Sequence, residues 1–146
     1  MFIVGEYRGF ERYLNALHNQ IRTLGARNVH FSGHVPLAEV VSYFKLAHLY
    51  LHMSEHEGFC APIPESFYLG IPVVAFDGGA VAETMNNGGV LVHKKDFLRI
   101  AALCHEILSR PGLKNEILAG QARALEKYRQ QLTGRILLDF LRSLQS

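Results

Sequence analysis

Short apolar runs alternate along most of this chain with longer segments in which apolar residues recur at helical spacing. Such runs are typical of buried parallel strands, because both faces of these strands lie against helices. They predict strands at residues 1–4, 29–31, 49–53, 72–76 and 89–92. The alternation predicts an α/β fold with a parallel sheet of about five to six strands and helices on both faces.

The segments between these runs predict amphipathic helices. In the first, one face carries Phe10, Tyr13, Leu14, Leu17, Ile21 and Leu24. In the second, the residues expected to point inward are Val40, Val41, Phe44 and Leu46. A short helix is expected between Pro62 and Gly70, and further helices at residues 80–85, 96–108, 113–128 and 133–144. The 146 residues suit a single domain with a real core.

The loop after the third predicted strand has features of a ligand site. Ligands of open parallel sheets bind outside the carboxyl ends of the strands, and the N–H groups of Gly58 to Ala61 are placed there for an anion. Glu57 and Glu65 would repel a bare phosphate, but carboxylates accept hydrogen bonds from vicinal hydroxyls. The pattern therefore favours a ligand with phosphate in the middle and polyols on both sides, as in a nucleotide sugar.

Composition and charge narrow the function classes. The chain is 49% hydrophobic with a net charge of +2 and scattered cations, so it has no nucleic-acid footprint. Cys60 and Cys104 are too few and too far apart for a disulfide framework or a zinc site, which favours a reducing compartment, the cytoplasm. No apolar run approaches the roughly 18 residues of a spanning helix and no signal peptide is evident, so we expect a soluble protein.

Three histidines recur at intervals that would suggest a metal-binding face on a helix: His48, His52 and His56. Here they fall on a predicted strand and its loop, where only His48 and His52 share a face. No aspartate or cysteine partner is evident for them. The sequence therefore predicts no metal site.

Several motifs together resemble one enzyme family. Glu57 and Glu65 are separated by seven residues, and further blocks lie at residues 3–6, 29–35, 70–75 and 78–83. In this order they resemble the C-terminal, donor-binding domain of retaining glycosyltransferases with the GT-B fold, family 4 (glycosyl transferases group 1). The chain departs from the family pattern at Cys60, where glycine is usual, and at Ser66-Phe67, where Ala-Met is common.

The resemblance implies transfer of a sugar from a nucleoside-diphosphate sugar, UDP- or GDP-linked, to an acceptor hydroxyl without a cofactor or metal. It implies that Glu65 holds the ribose hydroxyls and that Glu57 contacts the donor sugar as the catalytic residue. The backbone of Gly58, Phe59, Cys60 and Ala61 would bind phosphate and sugar. The remaining implied donor-binding residues are Gly5 and Glu6 near the diphosphate, Gly33, His34 and Val35 near the base, and Gly78, Gly79 and Glu83 after the fourth strand.

Each of these residues also has a structural explanation. Glu65 and Glu83 are favoured in the first turn of any helix, and Glu57 could be a solvated loop acid. Phe59 could be a core aromatic, and Gly5 with Glu6 could simply turn the chain. The alternative function is a non-catalytic nucleotide-sugar-binding or partner subunit of a split transferase. A dinucleotide-dependent oxidoreductase is disfavoured, because no Gly-x-Gly-x-x-Gly follows the first strand.

The resemblance covers only the second of the two Rossmann-like domains of a GT-B enzyme. We therefore expect an acceptor domain in cis or in trans, through which alone any peripheral membrane contact would occur, and an inactive isolated chain. The family's diphosphate-binding Arg and Lys have no match here. Arg8 and Lys45 are the nearest cations in sequence to the predicted strand-end loops.

Overall fold

The computed structural model describes residues 1–128 of the chain. They fall into two compact units, one from Met1 to Leu46 (unit 1) and one that begins at Ala47 (unit 2). The helix predicted at residues 133–144 lies outside the described residues. None of the described helices is long and apolar enough to cross a membrane.

Unit 1 is built from two strands that each precede a helix. Its elements are β1 Phe2–Val4, α1 Glu11–Thr23, β2 His30–Gly33 and α2 Leu37–Leu46. The strands pair in parallel, with a register irregularity between Ile3 and Val4. This arrangement places the carboxyl ends of β1 and β2 side by side.

Only part of the predicted inward faces of unit 1 is covered. Half-buried positions are Leu14, Leu17 and Ile21 in α1 and Val40 and Phe44 in α2. The other predicted inward residues are exposed, namely Phe10, Tyr13, Leu24, Val41 and Leu46. Phe10 and Leu24 cap α1 rather than lie within it. A two-stranded sheet covers only a narrow strip of a helix, which leaves the margins of the predicted stripes in solvent.

Unit 2 holds a parallel three-stranded sheet in the order β3-β4-β5. Its elements are β3 Tyr50–His52, α3 Pro62–Tyr68, β4 Val73–Phe76, α4 Val81–Met85, β5 Val90–Val92, α5 Phe97–Ser109 and α6 Pro111–Leu125, with a 3-10 turn at Glu126–Tyr128. α6 begins two residues before its predicted start, because proline is well tolerated at the first helical position. α3 ends before Gly70, as predicted.

The core of unit 2 lies on both faces of its central strand, β4. Val73 and Ala75 pack against α3 and α4 in one buried cluster, whereas Val74 packs against α5 and α6 in the other. All three side chains are completely buried. This alternation follows from the period of two along a strand, and it explains why β4 is apolar at every position.

The predicted α/β class, parallel strand direction and alternation with helices are confirmed. Among the described residues the five strands form a two-stranded and a three-stranded sheet rather than one continuous sheet. A local apolar pattern specifies each strand but carries no information about which strands pair.

Candidate functional site

Three loops meet at one edge of the three-stranded sheet, where the parallel strands β3, β4 and β5 end. They are residues 53–61 after β3, 77–80 after β4 and 93–96 after β5. We call this rim the carboxyl edge. Such an edge is where open parallel sheets bind ligands, and here it carries Glu57 and the predicted anion-binding segment, residues 58–61, which we call the donor loop.

The paired glycines after β4 let two of these loops lie in contact. A Cβ atom added to Gly78 would lie 2.6 Å from the carbonyl oxygen of Ser54, and one added to Gly79 would lie 2.4 Å from that of Glu57. The N–H of Ala80 then donates to the Glu57 carbonyl oxygen at 2.9 Å. The 77–80 loop is therefore fitted so closely against the 53–61 loop that no side chain has room between them.

A second contact holds the donor loop from its other side. The hydroxyl of Thr84, in α4, donates to the carbonyl oxygen of Phe59 at 2.7 Å, and the Tyr128 hydroxyl donates to the carbonyl oxygen of Thr84. The Phe59 ring is 52% exposed, so its explanation as a core aromatic is wrong. It meets the Tyr128 ring edge-on, with centroids 5.8 Å apart.

The donor loop presents a run of unbonded backbone N–H groups. Among the described residues, the N–H groups of Gly58, Phe59, Cys60 and Ala61 make no hydrogen bond. Three of the four carbonyl groups are engaged: Phe59 accepts from the Thr84 hydroxyl, Cys60 from the N–H of Ile63 at 3.0 Å and Ala61 from that of Glu65 at 3.2 Å. Consecutive donors on a loop held at both ends are available to a ligand oxygen.

The two glutamates of the motif lie near the same group of side chains. Glu57 is half-buried, and Glu65 is exposed in the first turn of α3. Burial, then Cys60, then the carboxylates of Glu57 and Glu65 raise the pKa of Tyr50 well above its ordinary value. Both acids therefore act electrostatically on the same two side chains, those of Tyr50 and Cys60.

His52 is the last residue of β3 and is 8% exposed. Its Nδ1 is 3.3 Å from the Tyr50 hydroxyl and 3.6 Å from Sγ of Cys60, and its Nε2 is 3.5 Å from Oε1 of Glu57. Burial lowers the pKa of His52 against the opposing effect of Glu57, and burial raises the pKa of the Cys60 thiol. The expectation that the three histidines have no cysteine partner is therefore wrong for His52. The other two, His48 and His56, are exposed.

Two basic side chains from the loop after β5 reach the carboxyl edge. Nζ of Lys95 lies 2.7 Å from Oε1 of Glu55, and Nδ1 of His93 lies 2.9 Å from Oδ2 of Asp77. Sequence reasoning named Arg8 and Lys45 as the nearest cations and missed Lys95. Lys95 could have been predicted in the same way as the other loop residues, because it closely follows the carboxyl end of the predicted strand at 89–92.

The predicted site residues of unit 1 form their own group at the ends of β1 and β2. The N–H of Gly5 donates to the carbonyl oxygen of Gly33 at 3.2 Å. The Glu6 carboxylate accepts from the N–H of Tyr7 at 3.1 Å and of Arg8 at 2.9 Å, and the Arg8 N–H chiefly lowers the pKa of Glu6. Glu6 thus stabilises its own turn.

The remaining predicted residues have simple surroundings. His34 is exposed and Val35 is half-buried, both directly after β2. Glu83 is exposed in the first turn of α4, and its carbonyl oxygen accepts from Nζ of Lys127 at 3.1 Å. The structure thus gathers Glu57 to Ala61, Gly78 and Gly79 at the carboxyl edge, and places Glu65 and Glu83 in the first turns of α3 and α4.

Comparison with protein families identifies the family to which this chain is similar. The model of the family described as Glycosyl transferases group 1 matches residues 1–125. A comparison with curated protein sequences gives no significant match.

Solved structures with the same fold include the following three proteins. HepE from Anabaena, in complex with UDP-glucose, has a TM-score of 0.81 and 25% identity, over 97% of this chain and 40% of HepE. The C-terminal domain of LpcC, a glycosyl transferase group 1 family protein from Francisella tularensis, has a TM-score of 0.70 and 22% identity, over 82% of this chain and 64% of that one. Sucrose-phosphate synthase from Thermosynechococcus elongatus has a TM-score of 0.75 and 20% identity, over 98% of this chain and 38% of the synthase. The likeness to the last two establishes the fold, that of the C-terminal half of a GT-B enzyme.

Proposed function

This chain belongs to the glycosyl transferases group 1 family, and we propose that it is the nucleotide-sugar-binding domain of a retaining glycosyltransferase of family 4. It holds the donor while an acceptor hydroxyl attacks the anomeric carbon. The leaving group is then a nucleoside diphosphate, whose growing negative charge has to be stabilised. The domain's contribution is to position the donor and to supply that stabilisation.

The observation that carries this proposal is the run of unbonded N–H groups from Gly58 to Ala61. Diphosphate oxygens accept hydrogen bonds from such groups, and the donors lie on a loop fixed by Gly79 on one side and Thr84 on the other. Because the loop is already held in place, it loses little conformational freedom when the ligand binds.

The two glutamates suit the neutral parts of the donor. We assign Glu65 to the ribose hydroxyls and Glu57 to the donor sugar, because each carboxylate accepts hydrogen bonds but would repel the diphosphate. Gly78 and Gly79 shape the loop beside Glu57. Glu83, in α4, is a further proposed donor-binding residue. We keep the diphosphate as the proposed contact of Gly5 and Glu6. The base is the proposed contact of Gly33, His34 and Val35. Since HepE is seen with UDP-glucose, a UDP-sugar is the first donor to test, ahead of a GDP-sugar.

The chain spans 40% of the length of HepE, so the complete reaction involves more than this domain. We propose that the acceptor is bound by a further domain, in the same polypeptide or in a partner chain, and that this domain alone does not turn over. We place the enzyme in the cytoplasm, where free thiols such as Cys60 and Cys104 persist. A non-catalytic nucleotide-sugar-binding subunit is the alternative.

Backbone amide NMR during titration with UDP-glucose tests the proposal directly. We expect the signals of Gly58, Phe59, Cys60 and Ala61 to shift with a common dissociation constant, and those of Gly112 and Gly120 in α6 to stay in place. Glucose alone serves as the control ligand and should shift none of the four. Shifts confined to other parts of the chain, or none at millimolar UDP-glucose, would contradict the proposal.

A further inference from the structure

Three side chains with metal-binding atoms converge where β3 meets the donor loop. They are His52, Glu57 and Cys60, whose ligand atoms all lie within 4.8 Å of one another. Sγ of Cys60 is 3.8 Å from Nε2 of His52, and that nitrogen is 3.5 Å from Oε1 of Glu57. Within residues 1–128 this is the one such group of three, so the convergence is a local feature of this loop.

These separations approach those of a tetrahedral zinc site. Zinc bonds of about 2.3 Å to sulfur and about 2.0–2.2 Å to nitrogen and oxygen place neighbouring ligand atoms about 3.3–3.6 Å apart. The two measured edges from His52 exceed this range by little or not at all. The third edge, between Glu57 and Cys60, is at most 4.8 Å, so the carboxylate has to approach Cys60 when a metal binds.

The surroundings of His52 and Cys60 also suit ligands. The Tyr50 hydroxyl lies 3.3 Å from Nδ1 of His52 and leaves Nε2 directed to Glu57, as outer-shell partners of metal-bound histidines do. Cys60 adopts a left-handed backbone conformation with φ of 52°, which favours glycine over any side chain. The sequence nevertheless places a cysteine there, with its sulfur against the imidazole.

We propose that Nε2 of His52, Oε1 of Glu57 and Sγ of Cys60 form a three-ligand site for a thiophilic divalent cation, Zn²⁺ above all, with a fourth position open to water. A thiolate and an imidazole select zinc over magnesium or calcium, which prefer oxygen ligands. When the metal binds, the thiol proton of Cys60 passes to solvent and the resulting thiolate coordinates the metal.

One consequence rests on the proposed function. A zinc ion on Glu57 takes this carboxylate away from the donor sugar, so zinc should weaken binding of UDP-glucose more than binding of UDP. Zinc binding itself is measured without nucleotide. The zinc-binding measurement therefore tests the metal site independently of the proposed nucleotide-sugar binding.

The test uses the complete, untagged chain with a non-thiol reductant, and zinc affinity is measured by competition with a chromophoric chelator. We expect one equivalent of tightly bound zinc in the wild type. Cys60→Ser and His52→Gln should each weaken it at least about 100-fold, beyond the 10–100-fold typical of outer-shell losses, and Tyr50→Phe by about tenfold. The matched controls are Cys104→Ser and His56→Ala, which should leave the affinity unchanged.

The absorption spectrum of the cobalt-substituted wild type tests whether a thiolate binds the metal, even where a variant fails to fold. A thiolate-to-cobalt charge-transfer band and a tetrahedral visible spectrum are expected, and both should vanish in Cys60→Ser and persist in Cys104→Ser. Absence of stoichiometric zinc binding, absence of the thiolate band in the wild type, or zinc binding that survives Cys60→Ser would each overturn the proposal.

Discussion

Gly79 lies directly against the backbone of Glu57: a Cβ atom at Gly79 would be 2.4 Å from the carbonyl oxygen of Glu57 and 2.8 Å from its nitrogen. Gly79 also has a φ of +59°, a conformation in which L side chains are strained. The acid proposed to meet the donor sugar is thus positioned by a glycine from a different strand end. Stability and ligand binding should both depend on this contact.

Gly79→Ala should lower the free energy of unfolding by at least about 1–2 kcal/mol, the cost of the left-handed conformation alone. The added methyl group should also push the 53–61 loop outward and weaken UDP binding. Urea denaturation and calorimetric titration measure the two effects. Gly112→Ala is the control, because a Cβ there meets nothing within 4 Å. A wild-type free energy of unfolding in Gly79→Ala would show that the loops are not in contact.

Gln121 should be a stability determinant although it is polar. Its side chain is 1% exposed, and its amide accepts from the N–H of Val73 at 2.8 Å and donates to the carbonyl oxygen of Ile71 at 2.9 Å. Gln121→Leu leaves both buried backbone groups unpaired, at about 1–3 kcal/mol each. We expect a loss of about 2–6 kcal/mol by urea denaturation, against less than about 0.5 kcal/mol for Asn115→Ala on the exposed surface of α6. A loss in Gln121→Leu no larger than that control would refute the role.

The stability of the protein should fall in mild acid partly because of His52. Burial lowers its pKa in the folded state below the ordinary 6.5, so the unfolded chain binds a proton first as the pH falls. The destabilisation is absent above about pH 6.5 and grows as the pH falls towards the folded pKa. Denaturation between pH 7.5 and pH 5, with a chelator present, should show a smaller pH slope in His52→Gln than in the wild type. Equal slopes would mean that His52 titrates alike in both states.

The order of strands and helices could be predicted because short apolar runs are separated by glycine and proline. Gly70 ends α3 and Pro62 begins it, as their backbone preferences require. The carboxyl-edge position of Glu57 follows from the same reasoning, since parallel strands end on one side.

Other features depend on contacts that no local pattern encodes. The division into two sheets depends on strand pairing, and the burial of Gln121 depends on where α6 crosses the start of β4. The contact between His52 and Cys60 accompanies a left-handed conformation at Cys60, which the residue type does not suggest. The position of Lys95 at the carboxyl edge, by contrast, could have been predicted, because Lys95 closely follows a predicted strand.

The distinct roles of the two glutamates allow a sharper test than loss of binding alone. Glu65→Ala should weaken UDP and UDP-glucose alike, by about 1.5–3 kcal/mol, because a ribose contact is present in both ligands. Glu57→Ala should leave UDP binding unchanged and weaken only UDP-glucose. Glu116→Ala, an exposed acid in α6, is the matched control and should change neither.

Calorimetric titration of UDP and UDP-glucose into the wild type and these three variants is therefore the decisive measurement. The donor-binding assignment predicts that the difference in affinity between the two ligands is retained in Glu65→Ala and lost in Glu57→Ala. Equal losses of UDP affinity in both variants, or UDP binding that neither variant weakens, would contradict it.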